Sequence, residues 1–416
     1  MAQTVHIIGA GLAGLSAAVR LAARGTQVMI HESAGQAGGR CRSYHDVALD
    51  LTIDNGNHLV LSGNHATLAY LRAIGSQERL VGPATAAFPF VDCASGERWM
   101  LRPNDGRVPW WIFVPGRRVP GTYARDYLSL VSLLRMQSGT LGERLTARGV
   151  LNDRLIRPLL VAALNIDPAE ASARLATAVM RETLAAGGRA CRPLIARDGL
   201  SDAFISPALA LLRKHGVIIR FGHRLRSLTF NDGMADGLDF GEEVVRLAAG
   251  DAVILAVPPP VAAALVPDLR TPTEFRAIVN AHFRIDPPAG FPALVGLVNA
   301  TTEWIFAFPG RISVTISAAD RLLDTPREEL AHLIWREVSN IAGLAPGLPP
   351  WQIVRERRAT FAATPAQDAR RPPAETAWIN LFLAGDWTAT GLPATIEGAI
   401  RSGNRSADLI ADRWKH

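Results

Sequence analysis

The sequence predicts an α/β fold in which a Rossmann-like domain is interleaved with a second, α+β domain. Three stretches support this prediction. Residues 5–25 read as a short apolar strand, a glycine-rich turn and a helix, and residues 27–31 read as a second strand that ends at Glu32. Residues 380–386 read as a further strand that ends in a glycine and an acid. Because strand, turn and helix in this order are typical of nucleotide-binding sheets, we expect both ends of the chain to build one domain.

The glycine-rich turn has the sequence GAGLAG at residues 9–14. Each glycine has a separate reason to be there. Gly9 permits a tight turn, Gly11 lets the backbone approach a pyrophosphate, and Gly14 lets the helix pack closely on the strand. The free N–H groups at the start of the helix would face the phosphates. These N–H groups belong to the residues around Leu12 and Ala13.

The second strand places a carboxylate at the distance that a dinucleotide site requires. Glu32 follows Gly14 by eighteen residues, and a carboxylate there can accept hydrogen bonds from ribose hydroxyls. A glycine motif by itself is weak evidence, since an ordinary glycine-rich turn looks the same. Strand, motif, helix and acid together predict a dinucleotide site.

A second glycine pair follows at Gly38 and Gly39, and Arg40 comes directly after it. This segment resembles the glycine-glycine-arginine extension of FAD proteins whose nucleotide domain is of the glutathione-reductase or amine-oxidase type. The resemblance implies an FAD cofactor that contacts Ser33 and Gly39, with Arg40 reaching towards the diphosphate. A flexible loop with a solvated Arg40 is the alternative interpretation.

The length and composition indicate two domains. A chain of 416 residues can bury two cores, and a hydrophobic content of 48% excludes a disordered protein. The order of the predicted strands makes both domains discontinuous. The FAD-binding domain is predicted over residues 1–82, 195–259 and 352–416, and the substrate-binding domain over residues 83–194 and 260–351.

The cysteines and the charge limit the classes of partner. Cys41, Cys93 and Cys191 form no close pair, so we expect neither a disulfide framework nor a metal site, and a reducing cytoplasm is the default location. The uncharged apolar stretch at 5–19 is too short to span a bilayer, and we predict neither an anchor nor a signal peptide. The net charge of +6 comes almost entirely from arginine. Codon bias or attraction to anionic lipid would explain this, and we expect no nucleic-acid partner.

A polar cluster, Asp54-Asn55-Gly56-Asn57-His58, stands between two strand-like runs. Such a loop could face a ring system with hydrogen-bonding edges, or it could be a turn with satisfied side chains. It resembles the DNGxH segment of the hydroxysqualene dehydroxylases, which are squalene-associated FAD-dependent oxidoreductases of the amine-oxidase superfamily. The resemblance implies that residues 55–58 contact the flavin. Asn57 departs from the glutamine expected in that family, which leaves the role of this position open.

Large apolar residues and arginines are concentrated at 108–118. Two interpretations are compatible with this pattern. One is a buried core loop. The other is a surface that contacts a membrane, with tryptophans at head-group level and arginines on phosphate. The second interpretation predicts contact at the inner face of the membrane through Trp110, Trp111, Phe113, Arg117 and Arg118.

The C-terminal region carries the second strong motif. Asp386 follows Gly385 at the end of a predicted strand, where its carboxylate can bond the ribitol hydroxyls of a flavin. A helix that starts near Thr395 would place N–H groups and a positive dipole end beside the pyrimidine edge of the flavin. Ala394 and Ile396 flank that position. In the family resembled, the residue at the place of Leu225 contacts the adenine side through its backbone.

The resemblance covers the whole chain and implies a reaction. It is the removal of an allylic hydroxyl from hydroxysqualene, with hydride from reduced flavin, to give squalene. Asp54 and His58 are the candidate acids, although each could have a purely structural role. The sequence identifies no electron donor for the flavin. A desaturase or oxidase of another isoprenoid, such as a carotenoid precursor, is the alternative.

Two further classes are less favoured. Amine oxidases often hold a lysine-bound water beside the flavin, but the lysines of this chain are Lys214 and Lys415 alone. A lipid-binding escort without redox activity would gain nothing from a complete set of flavin-binding residues. We therefore expect a redox enzyme.

Overall fold

The computed structural model describes residues 3–144 and 149–414, which form twenty β-strands and eleven α-helices. The first ten strands are β1 (Thr4–Ile8), β2 (Gln27–His31), β3 (Ser43–Asp46), β4 (Leu51–Asp54), β5 (Val60–Leu61), β6 (Leu80–Val81), β7 (Phe88–Asp92), β8 (Arg98–Leu101), β9 (Pro193–Ala196) and β10 (Ile218–Arg220). The other ten are β11 (Ser227–Asn231), β12 (Met234–Asp239), β13 (Val244–Arg246), β14 (Ala252–Leu255), β15 (Phe275–Arg284), β16 (Leu294–Val298), β17 (Trp304–Phe308), β18 (Arg311–Ile316), β19 (Trp351–Phe361) and β20 (Leu381–Leu383).

The helices alternate with these strands. They are α1 (Leu12–Ala22), α2 (His65–Ala73), α3 (Leu128–Leu134), α4 (Leu141–Arg144), α5 (Arg157–Leu164), α6 (Ala173–Glu182), α7 (Ser206–Lys214), α8 (Pro259–Leu265), α9 (Arg327–Ala342), α10 (Pro365–Asp368) and α11 (Ile396–Arg413). Within the described residues, no helix combines the length and the apolar character needed to cross a bilayer. The sequence predicts a helix at 141–148, of which α4 is the part that the structure describes, since residues 145–148 lie outside the described residues.

A five-stranded parallel sheet forms the Rossmann-like part, in the order β10-β2-β1-β14-β20. The central strand β1 is paired on both sides, and Ile7 stands beside Ile30 of β2 and Ile254 of β14. All three side chains are fully buried, as expected for parallel strands that are covered on both faces. The predicted α/β fold is therefore confirmed, and residues more than 350 positions apart build one sheet.

A seven-stranded mixed sheet forms the core of the second part, in the order β19-β15-β18-β17-β16-β7-β8. Helix α9 covers one face, where Trp335 packs on Phe283 with 5.0 Å between the ring centroids. The opposite face joins the largest apolar cluster of the described residues, which includes Phe90 and Trp304. We call this group of side chains the cavity-face cluster.

The structure corrects one predicted domain boundary. Residues 352–416 were assigned to the FAD-binding domain, but β19 pairs antiparallel with β15 of the seven-stranded sheet. The strand pattern of 351–361 does not reveal which sheet it joins, because alternating residues fit either. The return to the parallel sheet comes only at β20.

Two smaller differences concern the cofactor-binding part. The apolar spacing of the sequence predicts a helix from Leu15, whereas α1 begins at Leu12, so its first turn contains Ala13 and Gly14. The sequence also predicts a strand at 224–228, whereas β11 begins at Ser227, which leaves Leu225 in the segment before it. Both shifts are three residues, slightly more than the one or two that are normal at element ends.

Candidate active site

The glycine turn has the geometry that its sequence predicts. Gly9 has a φ of +108°, and a Cβ there would lie 2.4 Å from the carbonyl oxygen of Ala256. A Cβ at Gly14 would lie 2.0 Å from the carbonyl oxygen of Gly9, so α1 packs too closely on β1 for any side chain. At Gly11 a Cβ would meet nothing within 4 Å. The turn therefore leaves open space at the position where the backbone would approach a diphosphate.

The carboxylate of Glu32 lies over this turn. Its Oε2 accepts the N–H of Ala10 at 2.7 Å, and its Oε1 accepts the N–H of Ala34 at 2.8 Å. The backbone N–H of His223 donates to the Glu32 carbonyl at 2.8 Å, which brings the segment leading to the buried Leu225 beside it. Ser33 is exposed next to Glu32. The ribose and adenine contacts of these residues stay predictions.

The second glycine pair meets the first. Gly38 forms a bridge with Gly11, and its N–H donates to the Ala10 carbonyl at 2.8 Å. A Cβ at Gly39 would lie 3.5 Å from the Cα of Gly11, so Gly39 is also close to the open part of the turn. This contact holds the extension after β2 against the start of α1.

The structure gives Arg40 partners other than those that the resemblance implied. Its guanidinium donates to Asp386 Oδ1 at 2.7 Å and to the Ala359 carbonyl at 2.5 Å. The carboxylate of Asp386 raises the pKa of the Arg40 guanidinium above its ordinary value. Arg40 therefore joins the N-terminal extension to the C-terminal motif in this structure, and its contact with a diphosphate stays a prediction.

Asp386 is held in place by a residue that the sequence analysis missed. The side chain of Arg371 is fully buried, and it donates to the Asp386 carbonyl at 3.2 Å and to Thr390 Oγ1 at 2.9 Å. It also donates to the Thr388 carbonyl. One arginine thus fixes the loop between β20 and α11. No local pattern marks it, because its partners become neighbours only when the loop folds back.

Helix α11 begins beside this loop. Thr395 is its N-cap, and its hydroxyl oxygen accepts the N–H of Gly398 at 3.0 Å. The N–H of Gly385 donates to Ser402 Oγ at 2.9 Å, which fixes the glycine-acid turn against α11. A Cβ at Gly403 would lie 2.1 Å from the Ala13 carbonyl oxygen, so α1 and α11 pack in backbone contact. The residues at the start of α11 are Ala394, Thr395 and Ile396.

Asp54 is a structural carboxylate in this fold. Its Oδ1 accepts the hydroxyl of Ser43 at 2.6 Å and the N–H of Leu200 at 2.9 Å, and Arg311 lies 3.7 Å from its Oδ2. It therefore accepts a backbone N–H at the start of the helical segment 201–214. The sequence predicts Ser201 as the cap of this segment, but its hydroxyl oxygen accepts the N–H of Ser43 at 2.7 Å. These contacts give Asp54 a structural role in this fold, and its role as an acid stays a prediction.

The rest of the 54–58 loop docks on the seven-stranded sheet. The N–H of Asn57 donates to Asn280 Oδ1 at 3.4 Å, and its Nδ2 donates to Thr315 Oγ1 at 3.1 Å. Thr315 donates in turn to Asn280 Oδ1 at 2.8 Å. A Cβ at Gly56 would lie 3.1 Å from Asn280 Nδ2, so only glycine fits there easily. Asn280 and Thr315 were missed because they lie on strands that are distant in sequence.

Two side chains of this loop, those of Asn57 and His58, bear on ligand binding. The Oδ1 of Asn57 is buried and has no hydrogen-bond partner among the described residues. A buried acceptor without a partner is costly, and it suits a ring system that presents an N–H edge. His58 is partly buried beside Asp54, Arg40 and Asp386, and burial lowers its pKa to about 4. A neutral His58 can accept or donate a hydrogen bond, but it is a poor proton donor at neutral pH.

A further titratable group lies at the start of β17. Burial raises the pKa of Glu303 to about 7, although the hydrogen bond from the Ser317 N–H acts to lower this pKa. The sequence analysis did not select Glu303, because a single acid next to a strand carries no signal of its burial. This carboxyl can hold a proton at neutral pH.

The comparison with a family profile decides the class of this site. The profile described as "Flavin containing amine oxidoreductase" matches residues 12–411. The chain belongs to this family. The prediction of an FAD-dependent oxidoreductase is confirmed. The open backbone at Gly11 and the unpartnered Oδ1 of Asn57 fit an FAD cofactor.

The relatives narrow the family. The chain is 58% identical to the hydroxysqualene dehydroxylase of Rhodopseudomonas palustris over 412 residues, which cover 99% of both chains. It is 49% identical to the hydroxysqualene dehydroxylase of Zymomonas mobilis over 98% of this chain and 99% of the other. The probable zeta-carotene desaturase of Synechococcus elongatus is 24% identical over 98% of both. The sequence resemblance to the hydroxysqualene dehydroxylases is therefore confirmed.

Among solved structures, the cyclohexylamine oxidase of Brevibacterium oxydans superposes with a TM-score of 0.71 over the whole of both chains, at 16% identity. A putrescine oxidase superposes with a TM-score of 0.69 over the whole of both chains, at 15% identity. At this level of identity the superpositions establish the fold. Lys214, one of the two lysines of the chain, lies exposed at the end of α7.

Proposed function

We propose that this protein removes the allylic hydroxyl of hydroxysqualene and yields squalene. The observation that carries the proposal is the identity of 58% over 99% of the hydroxysqualene dehydroxylase of Rhodopseudomonas palustris. The balance of the reaction is simple. The carbon–oxygen bond breaks, one proton is taken up so that the hydroxyl leaves as water, and a hydride completes the new carbon–hydrogen bond. Bound FAD in its reduced form supplies that hydride.

The protein supplies three further contributions. Gly9, Gly11 and Gly14 shape the turn for the diphosphate, and Glu32 and Asp386 stand where they can hold the sugar hydroxyls. Asn57 offers its unpartnered oxygen to a polar edge. The cavity-face cluster provides an apolar wall on the seven-stranded sheet, and it suits a hydrocarbon chain and excludes water.

The sequence offers two candidates for the proton donor, Asp54 and His58. Asp54 accepts hydrogen bonds from Ser43 and Leu200, and burial leaves His58 neutral at pH 7. The role of each residue as the acid stays a prediction. Three single variants address this point: Asp54→Asn, His58→Gln and Glu303→Gln. The acid is the residue whose loss removes the alkaline limb of the rate profile while the variant still binds FAD.

The substrate also suggests where the enzyme works. Because a long isoprenoid dissolves in lipid rather than in water, we place the reaction at a lipid surface on the cytoplasmic side of the membrane. The large share of arginine among the basic residues is compatible with this location.

The test uses the purified holoenzyme. The flavin is reduced without oxygen and mixed with hydroxysqualene in detergent micelles. We expect the absorbance of oxidised flavin to return as squalene accumulates, in equal amounts. Return of the absorbance without squalene rules out this substrate. Bleaching of the oxidised flavin by a saturated isoprenoid would instead identify a desaturase.

A further inference from the structure

One face of the protein exposes an unusual group of apolar side chains. Phe113 is 69% exposed and Trp110 is 48% exposed, and Val108 is exposed beside them. The neighbouring segment adds the exposed Tyr123, Leu128 and Val131. We call these six residues the 108–131 surface. A cluster of large apolar side chains that are exposed to solvent marks an interaction site.

The members of the 108–131 surface are held together by contacts beneath them. Trp111 is only 3% exposed, and its ring packs on that of Tyr127 with 5.2 Å between the centroids. This corrects the prediction that Trp111 contacts the membrane, since it anchors the loop from below. Arg118 donates to the Ile112 carbonyl at 3.0 Å and stands 6.0 Å from the ring of Tyr123. The loop and the segment before α3 thus form one continuous face.

The charge around this face is strongly positive. Residues 102–135 contain six arginines and two aspartates, and no lysine or glutamate. The guanidinium of Arg117 stacks over Trp110 at 4.7 Å, which places a cation beside an exposed aromatic tip. Asp126 accepts the N–H of Tyr123 at 2.7 Å, which occupies one of the two acids locally. Aromatic tips surrounded by arginines are complementary to the anionic head groups of a bilayer.

A surface cleft adjoins these residues. Its volume is about 740 Å³, and Arg102, Arg107 and Arg117 line it together with Val108, Trp110 and one acid, Asp105. Three guanidinium groups in one cleft can bind phosphate oxygens in pairs. The cleft therefore offers a place for lipid phosphates directly beside the apolar tips.

The interior behind this face is apolar. Trp111, Tyr127 and Leu133 lie under the 108–131 surface, and they belong to the cavity-face cluster. The same cluster includes Trp387, which directly follows Asp386. One buried apolar cluster therefore extends from beneath the 108–131 surface to the C-terminal motif.

We propose that the 108–131 surface docks on an anionic bilayer, with the arginines on lipid phosphates and the apolar tips among the acyl chains, so that the isoprenoid enters from the lipid. The nature of the entering molecule rests on the proposed function, whereas the docking itself does not. A second copy of this chain is a poorer occupant, because a symmetric contact would bring arginines against arginines. An anionic bilayer carries a net negative charge, which is opposite to that of the arginines.

Vesicle flotation tests the docking directly, without any turnover. The holoenzyme is mixed with vesicles of phosphatidylcholine alone or with three parts in ten of phosphatidylglycerol. We expect the wild type to float with the anionic vesicles, and the double variant Trp110→Ser/Phe113→Ser to lose at least nine-tenths of this binding. Val244→Ser, which removes an equally exposed apolar side chain on β13, is the matched control and should float like the wild type.

The arginines have their own test. Arg107→Gln/Arg117→Gln should reduce binding to anionic vesicles about tenfold and weaken its dependence on salt, while Arg246→Gln on β13 should have no effect. Flotation of the aromatic double variant at the wild-type level would overturn the proposal. The proposal would also be overturned if the protein never floats and instead forms a dimer that both double variants dissociate.

Turnover separates this proposal from the proposed function. In detergent micelles the aromatic double variant should convert hydroxysqualene as fast as the wild type, and with the substrate in vesicles it should be at least tenfold slower. An enzyme that floats but converts no hydroxysqualene in either medium would contradict the proposed function and leave the docking intact. Equal slowing in both media would contradict delivery of the substrate from the bilayer.

Discussion

The glycine turn at residues 9–14 and the polar loop at residues 54–58 are both predicted to contact the flavin, yet they are built by different means. The turn is made by backbone: a Cβ at Gly9 or Gly14 would lie 2.4 or 2.0 Å from a carbonyl oxygen. The loop is made by side chains, since Asn57 reaches its position through Asn280 and Thr315. The turn depends on glycines that are close in sequence and on the backbone of Ala256, whereas the loop depends on side chains of strands more than 200 residues away.

This difference predicts how each region tolerates change. In the turn a single added methyl group meets fixed carbonyl oxygens, which cannot move without disturbing β1 or β14. In the loop the partners are amide and hydroxyl groups, and water can replace part of what is lost. Changes in the turn should therefore abolish binding or folding, and changes in the loop should weaken it.

The largest effect is expected at Gly14. Gly14→Ala places its methyl group 2.0 Å from the Gly9 carbonyl oxygen, so α1 must move away from β1. We expect little FAD to copurify and the melting temperature of the protein to fall by about 3 °C or more, as for a clash worth a few kcal/mol in a chain of this length. Thermal unfolding and the flavin absorbance measure both results.

Gly11→Ala is the matched control for that variant. Its methyl group meets no protein atom within 4 Å, so the apoprotein should melt at the wild-type temperature. It would occupy the space that we assign to the diphosphate, and FAD affinity should fall at least tenfold. Normal FAD affinity in Gly11→Ala would show that the diphosphate lies elsewhere.

Asp54 gives the next largest effect. Asp54→Ala leaves the buried Arg311 without its carboxylate and the N–H of Leu200 without its acceptor. We expect the free energy of unfolding to decrease by about 3 kcal/mol, as when one partner of a buried ion pair is removed. Urea unfolding measures this change.

Asp54→Asn separates the structural role of Asp54 from a catalytic one. The amide keeps an oxygen for the hydroxyl of Ser43, so most of the fold and of the turnover should survive. A well-folded Asp54→Asn that binds FAD but loses more than about a hundredfold in kcat would restore Asp54 as the acid.

The buried histidines make stability depend on pH in both regions. Burial lowers the pKa of His31, under the glycine turn, to about 3 and that of His58, in the loop, to about 4. The unfolded chain titrates near pH 6.5, so each histidine costs nothing above that pH and destabilises the fold as the pH falls below it. At pH 5 the cost is roughly 2 kcal/mol for each group.

Urea titrations at pH 7.5 and pH 5 test this prediction on the FAD-free protein. His31→Gln and His58→Gln should each remove part of the difference between the two pH values. The exposed His215 serves as the control, and His215→Gln should leave the difference as it is in the wild type. Equal acid sensitivity in all three variants would contradict the assigned cause.

The smallest effect concerns the sheet that supports the loop. Thr315→Val removes the hydroxyl that accepts from Asn57 and donates to Asn280. We expect a loss of about 1 kcal/mol in stability, which is the usual net worth of a hydrogen bond. FAD affinity should fall by two- to fivefold, measured by fluorescence titration. An unchanged affinity would show that the loop keeps its position without this network.

Much of the fold could be predicted because its signals are local. Residues 5–8 are mostly apolar and β-branched, the glycines of GAGLAG predict a tight turn before a helix, and Glu32 follows at the distance that a dinucleotide site requires. The parallel sheet and the FAD cofactor could therefore both be predicted. The boundary at 352 was not, because β19 alternates like any half-buried strand and only pairing with β15 assigns it. The burial of Trp111 could not be predicted either, because its neighbour Trp110 has the same side chain and is exposed.

The sequence by itself determined the cofactor class, because glycine conformations and helix N-termini are properties of short segments. The tertiary structure alone decided which side chains hold the site together. Three sets of contacts show this: those of Arg371 under the C-terminal loop, the Arg40–Asp386 ion pair, and those of Asp54 with Ser43 and Leu200. Each joins residues that are not neighbours in the sequence. Hydrogen bonds and ion pairs act over a few ångströms, so their partners are fixed only when the chain has folded.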